Sequence, residues 1–349
     1  MARAFLPHPI TTDSAVGGAV IERSLRFRHG RTNCVMTRTS ETASSTYTFS
    51  CWVKHQKLDD YKYIFSTGSA GLAFNGTTDG SGYNGNVLYI YDGSSLTEST
   101  PFLRDTNTWY HIVMKMDSGT VYTYINGAIA HNGIGGFSLN TGGNSTKIGD
   151  YTTDHEFEGY IADVHLVDGQ ALDPTSFAYT EFQTGIWRPK RYTGTYGTSG
   201  FHLEFKDNSS TAAFGKDTSG NGNDFSTSGF ILGDNVQDSP TNNFTLLSRS
   251  NGMTGIREAG LKFQNFNDSG GAQVAVQADR TIPNTGTWYW EIRWLGNSFT
   301  RHWGITRRLN NYTGAYWDNS GGVFYNYYNG KGYRQTCLLY TSPSPRDLL

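Results

Sequence analysis

Glu156 and Glu158 stand two residues apart in "HEFEGY". On an extended strand that spacing sets two side chains on one face, roughly 6.5–7 Å apart. Glycoside hydrolysis uses two carboxylates about 5–9.5 Å apart, one as acid and one as base or nucleophile. Gly159 and Tyr160 follow, so no third acidic residue extends the run, and solvated carboxylates at a strand end are the favoured reading. His111 in "WYHIV" has the chemistry of a general base, but no Gly-x-Ser-x-Gly nucleophile accompanies it. "GDYTTDHE" (149–156) carries Asp150, Asp154 and Glu156, oxygen ligands that suit a hard cation such as calcium, although their spacing is not that of an EF-hand. Tyr151 and Asp154 in the same loop are candidate ligand-binding residues, because aromatic rings stack on the apolar faces of sugars. No phosphate-binding Gly-x-x-x-x-Gly-Lys loop occurs. Cys34, Cys51 and Cys337 fit neither a metal site nor a disulfide framework. Cys51 in "TFSCWVK" reads as a small buried thiol, with a Cys34–Cys51 bridge as the minor alternative.

The elements that would position these groups are strands. Aromatics make up 14% of the 349 residues and glycine contributes 42, against only 9 prolines; this balance favours an all-β chain with many turns and an aromatic core. The net charge of −2 is spread without a basic stripe, which argues against nucleic acid as a partner. No apolar run approaches the length of a membrane span. Residues 1–20 read as a leader without the apolar segment of a signal peptide. In "TYTFSCWVK", Phe49, Cys51 and Val53 share one face and Trp52 lies on the other, the mark of a strand enclosed on both sides. "NTWYHIVMKMDSGTVYTYINGAIA" (107–130) predicts a three-stranded meander turning at Asp117-Ser118-Gly119 and at Asn126-Gly127. "DPTSF" (173–177) predicts a single helical turn opened by Asp and Pro.

"FSCWVK", "TWYHIVMKMD", "YTYING", "KIGD" and "FEGYIADVHLVDGQALDPTSF" occur in that order. Over residues 20–185 they resemble the laminin-G-like, concanavalin A-like jelly roll. The resemblance implies an antiparallel β-sandwich of two sheets, one often concave. It makes His111 a structural strand residue, assigns "FEG" to a strand and turn, and allows a calcium ion at the sandwich rim. "GIWRPKRYTGTYGTSGFHLEF", "DNSSTAAFGKDTSGNGNDF" and "DSPTNNF" are similar to stretches of structural and tail-fibre-like proteins of marine bacteriophages. "DTSGNGNDF" (217–225) resembles a turn found near the beginning of many laminin-G-like domains; here it follows the sandwich. Residues 186–250 therefore form a connecting segment in which "GFHLEF" either completes the first sandwich or stands apart.

Residues 251–336 carry a second all-β pattern. "GTWYWEI", "WGIT" and "GGVFYNYYNGKGY" resemble the start of a SPRY domain, another sandwich. "CLLYTSPSPRD", within 337–349, reverse-translates to the end of a transposon adapter used for sequencing libraries and reads as an artefact. The second sandwich is accordingly expected to be incomplete. Taken together, the resemblances imply a non-enzymatic structural or adhesion protein of a phage virion, assembled in the host cytoplasm. Its partners would be a glycan or host surface receptor, or other virion proteins. The alternatives are an extracellular bacterial lectin and a glycoside hydrolase of jelly-roll fold.

Overall fold

In the computed structural model the chain divides into two units, Met1–Thr245 and Leu246–Leu349. The structure describes residues 18–243 apart from 29–33, 40–43, 57–60, 69, 76–86, 94–95, 136–144, 152–154 and 183. Beyond 243 it describes strand residues alone: 247–248, 256–257, 262–263, 277–278, 302–305, 323–326, 331–334 and 337–341.

The first unit is a sandwich of two antiparallel sheets. One sheet contains β1 (Ser24–Phe27), β3 (Tyr47–His55), β8 (Tyr110–Asp117), β9 (Thr120–Ile125), β10 (Ala128–Gly135), β12 (Gly159–Asp168), β15 (Phe201–Leu203) and β17 (Asn235–Val236). Its spatial order is β10-β9-β8-β3-β12-β1-β17, with β15 also on β12. The other contains β2 (Val35–Thr39), β4 (Tyr61–Thr67), β5 (Ala70–Asn75), β6 (Val87–Tyr91), β7 (Leu96–Phe102), β11 (Ser145–Ile148) and β16 (Ser226–Ser228), in the order β16-β2-β11-β4-β5-β6-β7. Three strands from the segment after residue 186 thus lie within the two sheets.

Alternation builds the core. Phe49, Cys51 and Val53 of β3, Ile112, Met114 and Met116 of β8, and Ile161 and Leu166 of β12 meet Phe65, Leu72, Phe74, Leu88, Ile90 and Ile148 of the facing sheet. Phe49 and Phe65 stack across the interface at 4.3 Å. Each such side chain contributes about 1.5–3 kcal/mol by leaving water. All nine positions of β3 are buried, its outward residues included. The chain following β12 covers them: the Thr48 hydroxyl donates to the Gln170 carbonyl at 2.8 Å and accepts from the Leu172 amide at 2.7 Å.

The meander runs as expected through β8, β9 and β10. Ser118 and Gly119, and again Asn126 and Gly127, have φ between 50° and 82°, the paired left-handed residues of a tight hairpin turn. The "DPTSF" turn is a single 3-10 turn, Pro174–Ser176. It leads into a two-stranded ribbon of β13 (Ala178–Thr180) and β14 (Trp187–Pro189). Cys34 and Cys51 are buried free thiols, so no bridge joins them.

In the second unit β18 (Leu247–Ser248), β19 (Ile256–Arg257), β20 (Lys262–Phe263) and β21 (Gln277–Ala278) form two short pairs, β18-β21 and β19-β20. β22 (His302–Ile305), β23 (Val323–Asn326), β24 (Lys331–Arg334) and β25 (Cys337–Thr341) form a four-stranded sheet. Most residues that carry the SPRY resemblance, "GTWYWEI" among them, lie outside the described residues.

Candidate functional site

The outer face of the seven-stranded sheet carries tyrosines. A bulge between Tyr63 and Phe65 lets β4 keep Phe65 in the core while Tyr61 and Tyr63 face outward. Tyr89 and Tyr91 of β6 share that side, between inward Leu88 and Ile90. On the intervening strand β5 the outward positions are Gly71 and Ala73. These small residues leave room for rings to lie over the sheet. A β-carbon on Gly71 would stand 2.6 Å from the Tyr63 ring. Gly71→Ala is therefore expected to lift Tyr63 off the sheet at a cost of about 1–3 kcal/mol. Thermal denaturation and near-UV circular dichroism of the tyrosines check this.

The loop after β11 adds a fifth tyrosine. The Gly149 amide donates to the Ile64 carbonyl at 2.9 Å, and the Phe157 amide donates to the Gly149 carbonyl at 2.9 Å, so the loop is pinned at both ends. Tyr151 stacks on Tyr63 with centroids 4.6 Å apart and planes at 21°, and meets Tyr91 edge-on at 6.1 Å. Tyr61 and Tyr63 each pack edge-on against Tyr89, and His155 borders both. Tyr63 and Tyr89 are enclosed, whereas Tyr61, Tyr91, Tyr151 and His155 are half-buried around them. Burial pushes the Tyr63 hydroxyl up to about 12 and Tyr89 further, and it raises Tyr151. These phenols remain neutral hydrogen-bonding groups at any physiological pH. Glu98, the cross-strand partner of Tyr89, shares its face.

A polar group adjoins the rings. Lys147 Nζ donates to Asp150 Oδ2 and to the Tyr151 carbonyl, both at 3.0 Å. The Ser66 hydroxyl donates to the Asp150 carbonyl at 2.7 Å. Of the expected calcium ligands, Asp150 thus already faces an ammonium. Glu156 is 2% exposed and bridges to Tyr63, and Asp154 lies outside the described residues. The structure brings Tyr151 and Asp150 to the same site. Glu156 and Glu158 both precede β12 and lie in no assigned strand, Glu156 buried and Glu158 half-buried, so the two-residue strand spacing does not apply to them.

His111 lies on the opposite sheet, wholly buried and stacked on Trp52. Its Nε2 is 2.9 Å from the Ser50 hydroxyl, the spacing of a nucleophile and its base. Trp187 Nε1, however, donates to His111 Nδ1 at 3.1 Å. An indole only donates, so the imidazole proton sits on Nε2 and points at Ser50. That tautomer cannot take the serine proton. Burial also drives the histidine down to about 3, and the pair works as a structural tie between β3 and β8.

Residues 29–176 match the family model described as the concanavalin A-like lectin/glucanases superfamily, and the sandwich is a concanavalin A-like fold. No curated protein matches the sequence. Among solved structures, a Bacteroides ovatus protein described as a candidate carbohydrate binding protein is 19% identical with a TM-score of 0.45, covering 59% of this chain and 58% of its own. This chain thus spans less than two thirds of that relative. A heptameric SAP-like pentraxin from Limulus polyphemus is 17% identical with a TM-score of 0.35, covering 44% of this chain and 79% of that one. Domain 4 of an extracellular arabinanase from Geobacillus stearothermophilus, solved with arabinotriose, is 20% identical with a TM-score of 0.34, covering 43% and 82%. No helix among the described residues is long and apolar enough to cross a membrane.

Proposed function

We propose that the protein is a non-enzymatic adhesion module that binds carbohydrate on the tyrosine face of its seven-stranded sheet. One observation carries this reading: Tyr61, Tyr91 and Tyr151 offer half-buried rings around an enclosed pair, beside the charged Lys147–Asp150 pair. Rings stack on the apolar face of a pyranose, and the neighbouring charges hydrogen-bond its hydroxyls. The lectin/glucanase match of residues 29–176 supports it. We place the module on a bacteriophage particle, with the second unit as a SPRY-like partner domain; the sequence resemblances within residues 185–244 support that setting. A bacterial surface or secreted lectin would use the same face.

A glycan array with the full chain tests the binding, run with calcium and with chelator because Asp150 and Glu156 adjoin the platform. Tyr151→Ala and Tyr91→Ala should each weaken the selected glycan about tenfold, equivalent to about 1.4 kcal/mol, while leaving the melting temperature nearly unchanged. Binding that survives both substitutions would refute the assignment of the face. Release of reducing sugar from a polysaccharide panel would replace adhesion by hydrolysis. Detection of the chain in purified phage particles separates the virion setting from the secreted lectin.

A further inference from the structure

Beneath the segment that follows β12, Asp163, His165 and His202 converge, with ligand atoms all within 4.8 Å of one another. β12 and β15 set His165 and His202 directly opposite each other in register. A bulge between Ala162 and His165 in the pairing with β3 holds Asp163 at a φ of 51°. That backbone turns its carboxylate toward both rings, 2.8 Å from His202 Nε2 and 3.2 Å from His165 Nε2. The far nitrogens are already engaged: His165 Nδ1 with the Tyr196 hydroxyl at 2.9 Å, His202 Nδ1 with the Thr218 hydroxyl at 3.1 Å. His165 is 2% exposed, and its Nε2, aimed at the carboxylate, makes no aligned hydrogen bond.

We propose that Asp163, His165 and His202 bind a divalent transition-metal ion, zinc being the one that this set suits. Two imidazole nitrogens and one carboxylate oxygen are first-row transition-metal ligands, with water as the usual fourth, and nitrogen ligands disfavour calcium. Tyr196 and Thr218 supply the outer hydrogen bonds that orient metal-binding histidines. The two rings now stack at 4.1 Å with planes 11° apart. Coordination turns one ring out of the stack to aim its lone pair at the ion, and displaces the proton shared by His202 and Asp163. The ion then cross-links β12 to β15 and ties the later strands to the sheet.

Untagged full-length protein, stripped with EDTA and titrated with cobalt(II), tests this. The expected result is saturation at one cobalt per chain with visible d–d absorption, displaced by one equivalent of zinc. Zinc should raise the melting temperature by about 5 °C or more, reversed by EDTA. His202→Ala should weaken cobalt binding by more than about a hundredfold. His202→Cys keeps a ligand and should add a sulfur-to-cobalt charge-transfer band absent from the unsubstituted chain, which a merely structural histidine would not produce. If the alanine variant does not fold, the stoichiometry of the unsubstituted chain and the cysteine variant decide. Failure to saturate at one equivalent, or a spectrum identical in the folded His202 variants, overturns the site.

Discussion

Replacing Lys54 with methionine is expected to destabilise the first unit by about 3–5 kcal/mol. The Lys54 ammonium lies 3.0 Å from Asp238 Oδ2 and 2.9 Å from Asn243 Oδ1, with side-chain exposures of 0% for Lys54 and 1% for Asp238. It also sits 5.9 Å from the centre of the Tyr160 ring. Two ions taken so completely from water gain little as a pair relative to an apolar pair, but losing one leaves the other charge stranded in a medium that cannot solvate it. The loss would remove a large part of the 5–15 kcal/mol typical of a domain. Chemical denaturation of Lys54→Met, Asp238→Leu and the double variant forms the measurement. The double variant should recover most of what the single lysine change loses. A single-variant loss below about 1 kcal/mol would mean that water reaches the pair.

Acid should unfold the sandwich before its carboxylates titrate. Burial lowers His55 and His131 to about 4 and His111 to about 3, each remaining neutral in the fold. In the unfolded chain the same rings take up protons near pH 6.5. Between those values the unfolded state binds more protons, so stability is fully present above about pH 6.5 and falls as pH drops toward 4. Each histidine contributes up to about 1.4 kcal/mol per pH unit inside that window. Nearby charges are Asp105 for His55 and Asp163 with His165 for His111. His165 and His202 shift in opposite directions, lowered by burial and raised by Asp163, so their contributions carry opposite signs, and the protein is kept metal-free with EDTA. Urea midpoints at pH 7, 5.5 and 4.5 should fall steeply. His55→Phe, which keeps a ring against Phe74 and Tyr110, should flatten the profile by about a third. A flat profile down to pH 4.5 would exclude the buried neutral histidines as its cause.

The strands were legible because alternation and turn chemistry are local. "TFSCWVK" announced a strand covered on both sides, and Asp-Ser-Gly and Asn-Gly placed both turns of the meander. What was not legible depended on partners distant in sequence. His165 and His202 meet only because β15 pairs with β12; "GFHLEF" was legible as a strand, but not which strand it would pair with. The tyrosine face was hidden for a different reason. The bulge at Tyr63 breaks the two-residue period in β4, so counting along the strand misassigns which rings point outward. Tyr151 was singled out as a candidate, but its stacking partner came from another strand. The acidic residues beside it suggested a cation, and Lys147 from β11 supplies one covalently.

β1 lies between β12 and β17, and its partner residues extend to Val236; Lys54 reaches on to Asn243. On the ribosome, β1 therefore waits for about two hundred residues before its sheet can close. Such non-local pairing is slow and leaves bare strand edges during synthesis. Premature termination anywhere before this point yields an open sandwich prone to edge-to-edge association, so yield in a host cell depends on chaperone capacity and translation speed as well as on the stability of the finished fold.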